Sequence, residues 1–177
     1  AKSLGREKAE AYFILSAKAV ASVVSQLSDV QPYWAIAENF AMNHDLWRQF
    51  PNIFQGEGGL GDRLSHVYDA LLAQHESCVM IGADSPQLTP KILALGCKKS
   101  LEGFVMGPSF DGGFYLFGGH EKILPSVWSR VLYSTDSTGI DLMRGLAPSP
   151  VAILEKLLDT DTIDDVKNLY KDFRQEN

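Results

Sequence analysis

Apolar residues recur at three- and four-residue steps from Tyr12 and Phe13 through Ala17, Val20, Val23 and Val24 to Leu27, the period of one helix face. A long amphipathic helix is therefore expected to begin after Gly5. Pro32 breaks that period. The next run, Tyr33-Trp34-Ala35-Ile36-Ala37, is too short for a helix and suits a buried strand. A short helix is expected from Asp45 to Phe50, and Asn52-Ile53-Phe54-Gln55 reads as a second strand running into Gly56-Glu57-Gly58-Gly59-Leu60-Gly61. Leu60, Leu64, Val67, Leu71 and Leu72 then carry a second helix.

Ser77-Cys78-Val79-Met80-Ile81-Gly82 is continuously apolar at its centre, as a parallel strand covered on both faces would be, and is expected to lie centrally in a sheet. Thr89-Pro90 supplies an N-cap followed by proline at the first helical position, opening a helix through Leu95 that Gly96 is expected to end. Phe104-Val105-Met106 and Phe114-Tyr115-Leu116-Phe117 are strand candidates on either side of Gly107 to Gly113. Ser137 to Leu146 reads as helix and Val151 to Leu154 as extended chain. Asp161 or Thr162 is expected to cap a last helix carrying Ile163, Val166, Leu169, Tyr170 and Phe173. Strands alternating with helices at this spacing imply crossover units and a mostly parallel sheet.

A length of 177 residues, 45% of them hydrophobic, is enough for a sizeable core, and residues 1–177 read as one domain. The net charge of -6 argues against a nucleic-acid binder, whose affinity rests on clustered Lys and Arg. Lys98-Lys99 reads as a solvated basic spot. Cys78 and Cys97 lack the spacing of a zinc site and read as packed thiols. His44, His66, His75 and His120 have neither zinc-site spacing nor a nucleophile partner, and no Gly-x-Ser-x-Gly elbow occurs. Trp34, Trp47 and Trp128 are read as core or interface residues, with core the default. No stretch approaches the roughly 20 apolar residues that span a bilayer, and with no secretory leader the cytoplasm is the expected compartment.

Ligands of open α/β sheets collect beyond the carboxyl ends of strands. Asp84, in Gly82-Ala83-Asp84-Ser85-Pro86, emerges there, and a carboxylate in that position suits magnesium or manganese, which prefer hard oxygen ligands. A turn aspartate accepting backbone N–H bonds is the equal alternative. In Gly107-Pro108-Ser109-Phe110-Asp111-Gly112-Gly113 the glycines permit a close backbone approach, and Asp111 could accept substrate hydroxyls; a plain hairpin explains the same residues better on local grounds. From Gln55 to Arg63 a strand yields to glycines and a helix N-terminus able to bind phosphate or a base carbonyl, although neither the P-loop nor the dinucleotide pattern is met. In Asp159-Thr160-Asp161 one carboxylate could face the same strand ends as Asp84, although capping of the last helix alone explains these residues better by sequence.

In order along the chain, Gln55-Gly56-Glu57-Gly58-Gly59-Leu60-Gly61-Asp62-Arg63, Ile81-Gly82-Ala83-Asp84-Ser85-Pro86-Gln87-Leu88, Gly107 to Leu116, and Asp159-Thr160-Asp161-Thr162-Ile163-Asp164-Asp165 resemble the DUF2064 group of bacterial proteins within the nucleotide-diphospho-sugar transferase superfamily. That resemblance implies a GT-A-like, three-layer α/β/α sandwich with a mostly parallel mixed sheet and a Rossmann-like nucleotide half. It places the metal, Mg2+ or Mn2+, at Asp84 with Asp159 and Asp161, and catalysis at Asp84 and Asp111. Gln55, Gly56, Gly58, Gly61, Arg63, Gly112 and Gly113 are then the binding residues for nucleotide and sugar. Gly59 stands where the family usually has an acidic residue. Ala1-Lys2-Ser3-Leu4-Gly5 is similar to the segment just after the family's first strand and phosphate loop, so that strand is expected to be missing from this sequence. The implied activity is glycosyl transfer from a nucleotide-diphospho-sugar to a small-molecule acceptor. Nucleotidyl transfer from a nucleoside triphosphate and a non-catalytic nucleotide-binding domain are the alternatives, and a homodimer is left open.

Overall fold

The computed structural model describes residues 5–157. The helix expected after Gly5 runs as α1 (Arg6–Val24). It leads to β1 (Trp34–Ile36), two short 3-10 turns (Asn39–Ala41 and Asp45–Trp47), β2 (Asn52–Phe54) and α2 (Leu60–Leu72). Then come β3 (Cys78–Ile81), α3 (Pro90–Ser100), β4 (Phe104–Pro108), β5 (Phe114–Gly119), α4 (Pro125–Arg130), α5 (Thr138–Leu146) and β6 (Val151–Ile153). The helix expected over Asp45 to Phe50 is only the second 3-10 turn, capped by the His44 ring, which accepts from the Leu46 amide. The expected last helix, with Asp159 and Asp161, lies outside the described residues.

Strands β1 and β2 pair in parallel, Trp34 opposite Asn52, and form a sheet of their own. The other sheet has the order β3-β5-β4-β6. Within it β5 is antiparallel to both neighbours and β4 is parallel to β6, so β3, β4 and β6 share one direction and β5 alone is reversed. Connection length explains the reversal. A parallel return needs a crossover of roughly a dozen residues or more, and Ser109 to Gly113 is a short hairpin turn.

Two expectations are corrected by these contacts. β3 is the edge of the four-stranded sheet and not its centre. Its outer side lines a groove of about 1150 Å³ that is walled on the other side by Tyr33 and by Trp34 and Ala35 of β1. The apolar character of β3 reflects coverage by helices on its faces, which periodicity cannot distinguish from pairing on both edges. Gly96 does not end α3, which continues to Ser100. A Cβ at Gly96 would stand 2.9 Å from Leu116 Cδ1, so glycine there lets the helix approach the sheet closely. The start of α3 is as expected: Thr89 accepts from the Ile92 amide at 3.3 Å, with Pro90 in the first turn.

The main sheet is sandwiched. On one face Val20 of α1 and Ile92 and Leu93 of α3 pack with Val105, Leu116 and Leu154. On the other, Tyr68 of α2, Trp128 of α4 and Leu142 of α5 pack with Phe104, Met106 and Phe117. Phe104 and Met106 face one layer and Val105 the other, the two-residue period of a strand buried on both sides. Trp128 is fully buried, its ring 5.5 Å from Phe117 and 5.8 Å from Tyr68. The apolar area of this ring anchors the otherwise short α4, against the cost of an indole Nε1 buried without a partner among the described residues. No described helix is long and apolar enough to cross a membrane.

Candidate active site

The backbone leaves β3 with the Gly82 amide donating to the Tyr115 carbonyl at 2.9 Å, and then turns sharply through Ala83 to Pro86. A Cβ on Gly82 would lie 2.7 Å from Asp84 Oδ1. Glycine thus makes room for the Asp84 carboxylate to fold back over the strand end, while Ser85 is buried beneath it and accepts the Leu88 amide through its carbonyl. Asp84 itself is exposed at the carboxyl end of β3.

Asp111 occupies the turn of the β4–β5 hairpin. Its Oδ1 accepts from Ser109 Oγ at 2.7 Å and from the Gly113 amide at 2.9 Å, the self-bonding of an aspartate turn. The hairpin expected on local grounds is therefore present, and Asp111 nonetheless lines a cavity. Gly112 adopts φ 91, a conformation suited to glycine, and its carbonyl accepts the Gly139 amide at 2.9 Å.

That cavity, about 530 Å³, brings Asp84, Asp111 and Gly113 together with Leu60, Tyr133, Ser134, Thr135 and Asp136. The segment Tyr133 to Asp136, between α4 and α5, was not singled out from sequence. The signal was there: polar residues directly after the apolar Val131-Leu132-Tyr133, ahead of a helix. The Tyr133 hydroxyl donates to the Trp128 carbonyl at 3.2 Å. Burial, reinforced by the nearby Asp62 carboxylate, pushes its phenol up to about 12, so it is a neutral hydroxyl near neutrality.

The glycine-rich segment is held by its own side chains. Asp62 Oδ2 accepts the Gly59 amide at 2.9 Å, and Arg63 Nε donates to the Gly58 carbonyl at 3.2 Å. Gln55 Nε2 donates to the Ala35 carbonyl at 2.9 Å, tying β2 to β1. Gly56 lies against the His66 ring, Gly58 against Asp62, and Gly61 is pressed on the Trp128 carbonyl and the Tyr133 ring. Gln55 and Arg63 line the large groove, together with Asp84. Leu60, Leu64 and Asp84 line both groove and cavity, so the two adjoin at the carboxyl end of β3.

Among the described residues no three His, Cys, Asp or Glu side chains gather closely enough to cage a metal ion. Asp84, exposed and lining the cavity, is the type of oxygen ligand that magnesium or manganese accept, since these ions are commonly held by one or two carboxylates with the remaining positions filled by phosphate oxygens and water.

This α/β architecture is shared with solved structures. The chain is similar to a structure from Desulfovibrio desulfuricans G20, provisionally named a nucleotide-diphospho-sugar transferase, with a TM-score of 0.80, 21% identity, and coverage of 97% of this chain and 78% of that one. A more distant likeness is to Rv0371c from Mycobacterium tuberculosis H37Rv, with a TM-score of 0.52, 19% identity, and coverage of 88% of this chain and 83% of that one. No curated protein matches the sequence. Residues 19–135 match the family described as an uncharacterized protein conserved in bacteria, DUF2064, and the chain belongs to that family.

Proposed function

We propose that this protein transfers a glycosyl group from a nucleotide-diphospho-sugar to a small-molecule acceptor, with transfer at the cavity between Asp84 and Asp111. The observation that carries this reading is that Asp84 lines both the groove bearing Gln55 and Arg63 and the smaller cavity bearing Asp111. A two-part donor suits that arrangement, its nucleotide along the groove side and its sugar in the cavity. The name of the Desulfovibrio relative supports the donor class.

Each residue then has a task. Asp84 would hold Mg2+ or Mn2+, with Asp159 and Asp161 as further oxygen ligands. When bound, the ion neutralises diphosphate charge and stabilises the leaving group. Arg63, already anchored to Gly58 through Nε, directs its remaining guanidinium donors to phosphate oxygens. Asp111 has Oδ1 committed to its turn and offers Oδ2 to sugar or acceptor hydroxyls.

The test is the thermal stability of the full-length protein against nucleoside diphosphates, triphosphates and nucleotide-sugars, each with and without manganese. Ligand at about 100 times its dissociation constant adds roughly 2.7 kcal/mol. A metal-dependent shift with one nucleotide-sugar, lost in Asp84→Asn, is the expected result and names the donor. Pyrophosphate release from a triphosphate would replace glycosyl with nucleotidyl transfer. An unchanged biological role in a folded Asp84→Asn variant would favour a non-catalytic nucleotide-binding domain.

A further inference from the structure

Building on the transferase reading, we propose that Ser134 and Asp136 form a hydroxyl-reading wall of the cavity and contact the polyhydroxylated part of a substrate, the donor sugar or an acceptor polyol. Both line the cavity that holds Asp84 and Asp111. Their loop divides its polar groups in two. Thr135 Oγ1 and Thr138 Oγ1 each donate to the Leu132 carbonyl at 2.8 Å, so these hydroxyls hold the loop's own shape. The side chains of Ser134 and Asp136 make no hydrogen bond among the described residues, which leaves one hydroxyl and one carboxylate for something outside the loop.

The loop is also fixed relative to Asp111. Gly112 has no side chain, and any Cβ there would overlap the Asp136 backbone. With the Gly139 amide bonded to the Gly112 carbonyl, the hairpin turn and this loop form one rigid rim. Ser134 sits in that rim at φ 60, the only non-glycine at positive φ among the described residues. Glycine would make the turn without steric cost, and serine adds a hydroxyl at the cavity wall in exchange for strain. A carboxylate accepts hydrogen bonds from sugar hydroxyls and a serine hydroxyl both donates and accepts, so the pair suits a vicinal diol and gives nothing to an apolar ligand.

The experiment compares wild type, Asp136→Asn and Ser134→Gly, all full-length. Dissociation constants are measured for a nucleoside diphosphate and its nucleotide-sugar, and KM for the acceptor. Affinity for the bare diphosphate is expected to hold in both variants. Either the extra affinity contributed by the sugar falls, or the acceptor KM rises, by about tenfold in Asp136→Asn. The first outcome assigns the wall to the donor sugar and the second to the acceptor. Ser134→Gly is expected to melt at a higher temperature while losing the same discrimination, a combination that a merely structural turn residue would not produce. Sugar increment and acceptor KM both within about twofold of wild type in both variants would overturn the wall and leave the transferase reading standing. A wild type that binds no nucleotide-sugar more tightly than the bare diphosphate and turns none over would overturn both.

Discussion

The Gly139 amide donates to the Gly112 carbonyl at 2.9 Å, joining the first turn of α5 to the tip of the β4–β5 hairpin. Two chain segments far apart in sequence are thus locked side by side at the cavity. Gly112→Ala would need an alanine at φ 91 and would drive its methyl group into the Asp136 backbone. A loss of about 3 kcal/mol is expected, from backbone strain and overpacking together. Urea unfolding measures it, and a loss under about 0.5 kcal/mol would mean that the contact yields freely.

Gly96→Ala sets two effects against each other. Helix propensity favours alanine by about 1 kcal/mol, and overpacking costs about 1–3 kcal/mol. The added methyl group would meet Leu116, which is 0% exposed and has no room to retreat. A net loss of about 1 kcal/mol is expected. A gain in thermal stability would show that α3 can lift from the sheet at no cost.

Arg63 links the glycine-rich loop to the groove. Arg63→Ala should weaken nucleoside diphosphate binding about tenfold, the effect of losing one charge-assisted hydrogen bond to phosphate. Arg63→Lys should restore only part of it, because the single ammonium cannot both hold Gly58 and reach a phosphate as the guanidinium fork can. Equal affinities in all three proteins, read by isothermal titration, would remove Arg63 from the binding residues.

Alkaline pH should unfold the protein from the inside. Burial pushes the Cys78 thiol from 9.0 up to about 12, and burial aided by Glu155 pushes the Tyr115 phenol from 10.0 to about 12. Tyr133 is raised to about 12 in the same way. Folded values above unfolded ones mean that stability is full below about pH 9 and declines as pH climbs from there through 12. Denaturation midpoints taken from pH 7 to 11 should be level at first and then fall. Iodoacetamide at pH 8 should leave Cys78 unmodified in the folded protein.

The groove between β1 and β3 makes a prediction for amide exchange. Among the described residues, strands β4 and β5 are paired on both sides, whereas β3 pairs only with β5 and β1 only with β2. Amides of β4 and β5 should exchange most slowly, and those of β3 not bonded to β5 should exchange fast. Slow exchange at these β3 amides would show that this edge is covered and not open to solvent.

Local interactions determined what the sequence by itself made legible. The 3.6-residue period of α1 and α2, the Thr89-Pro90 start of α3 and the hairpin tendency of Asp111-Gly112 all rest on residues within a few positions of one another. Asp84 was legible as a site candidate because a polar residue ending a buried apolar run marks a strand end. Other features were decided by residues distant along the chain. Strand order put β3 at an edge, and close contact with Leu116 carried α3 through Gly96. Burial of Trp128 against Tyr68 and Phe117 fixed an α4 too short to show a period. The approach of Asp136 to Gly112 likewise brought Ser134 to Asp136 onto the cavity of Asp84 and Asp111. Periodicity records which face of an element is buried, and only packing decides what buries it.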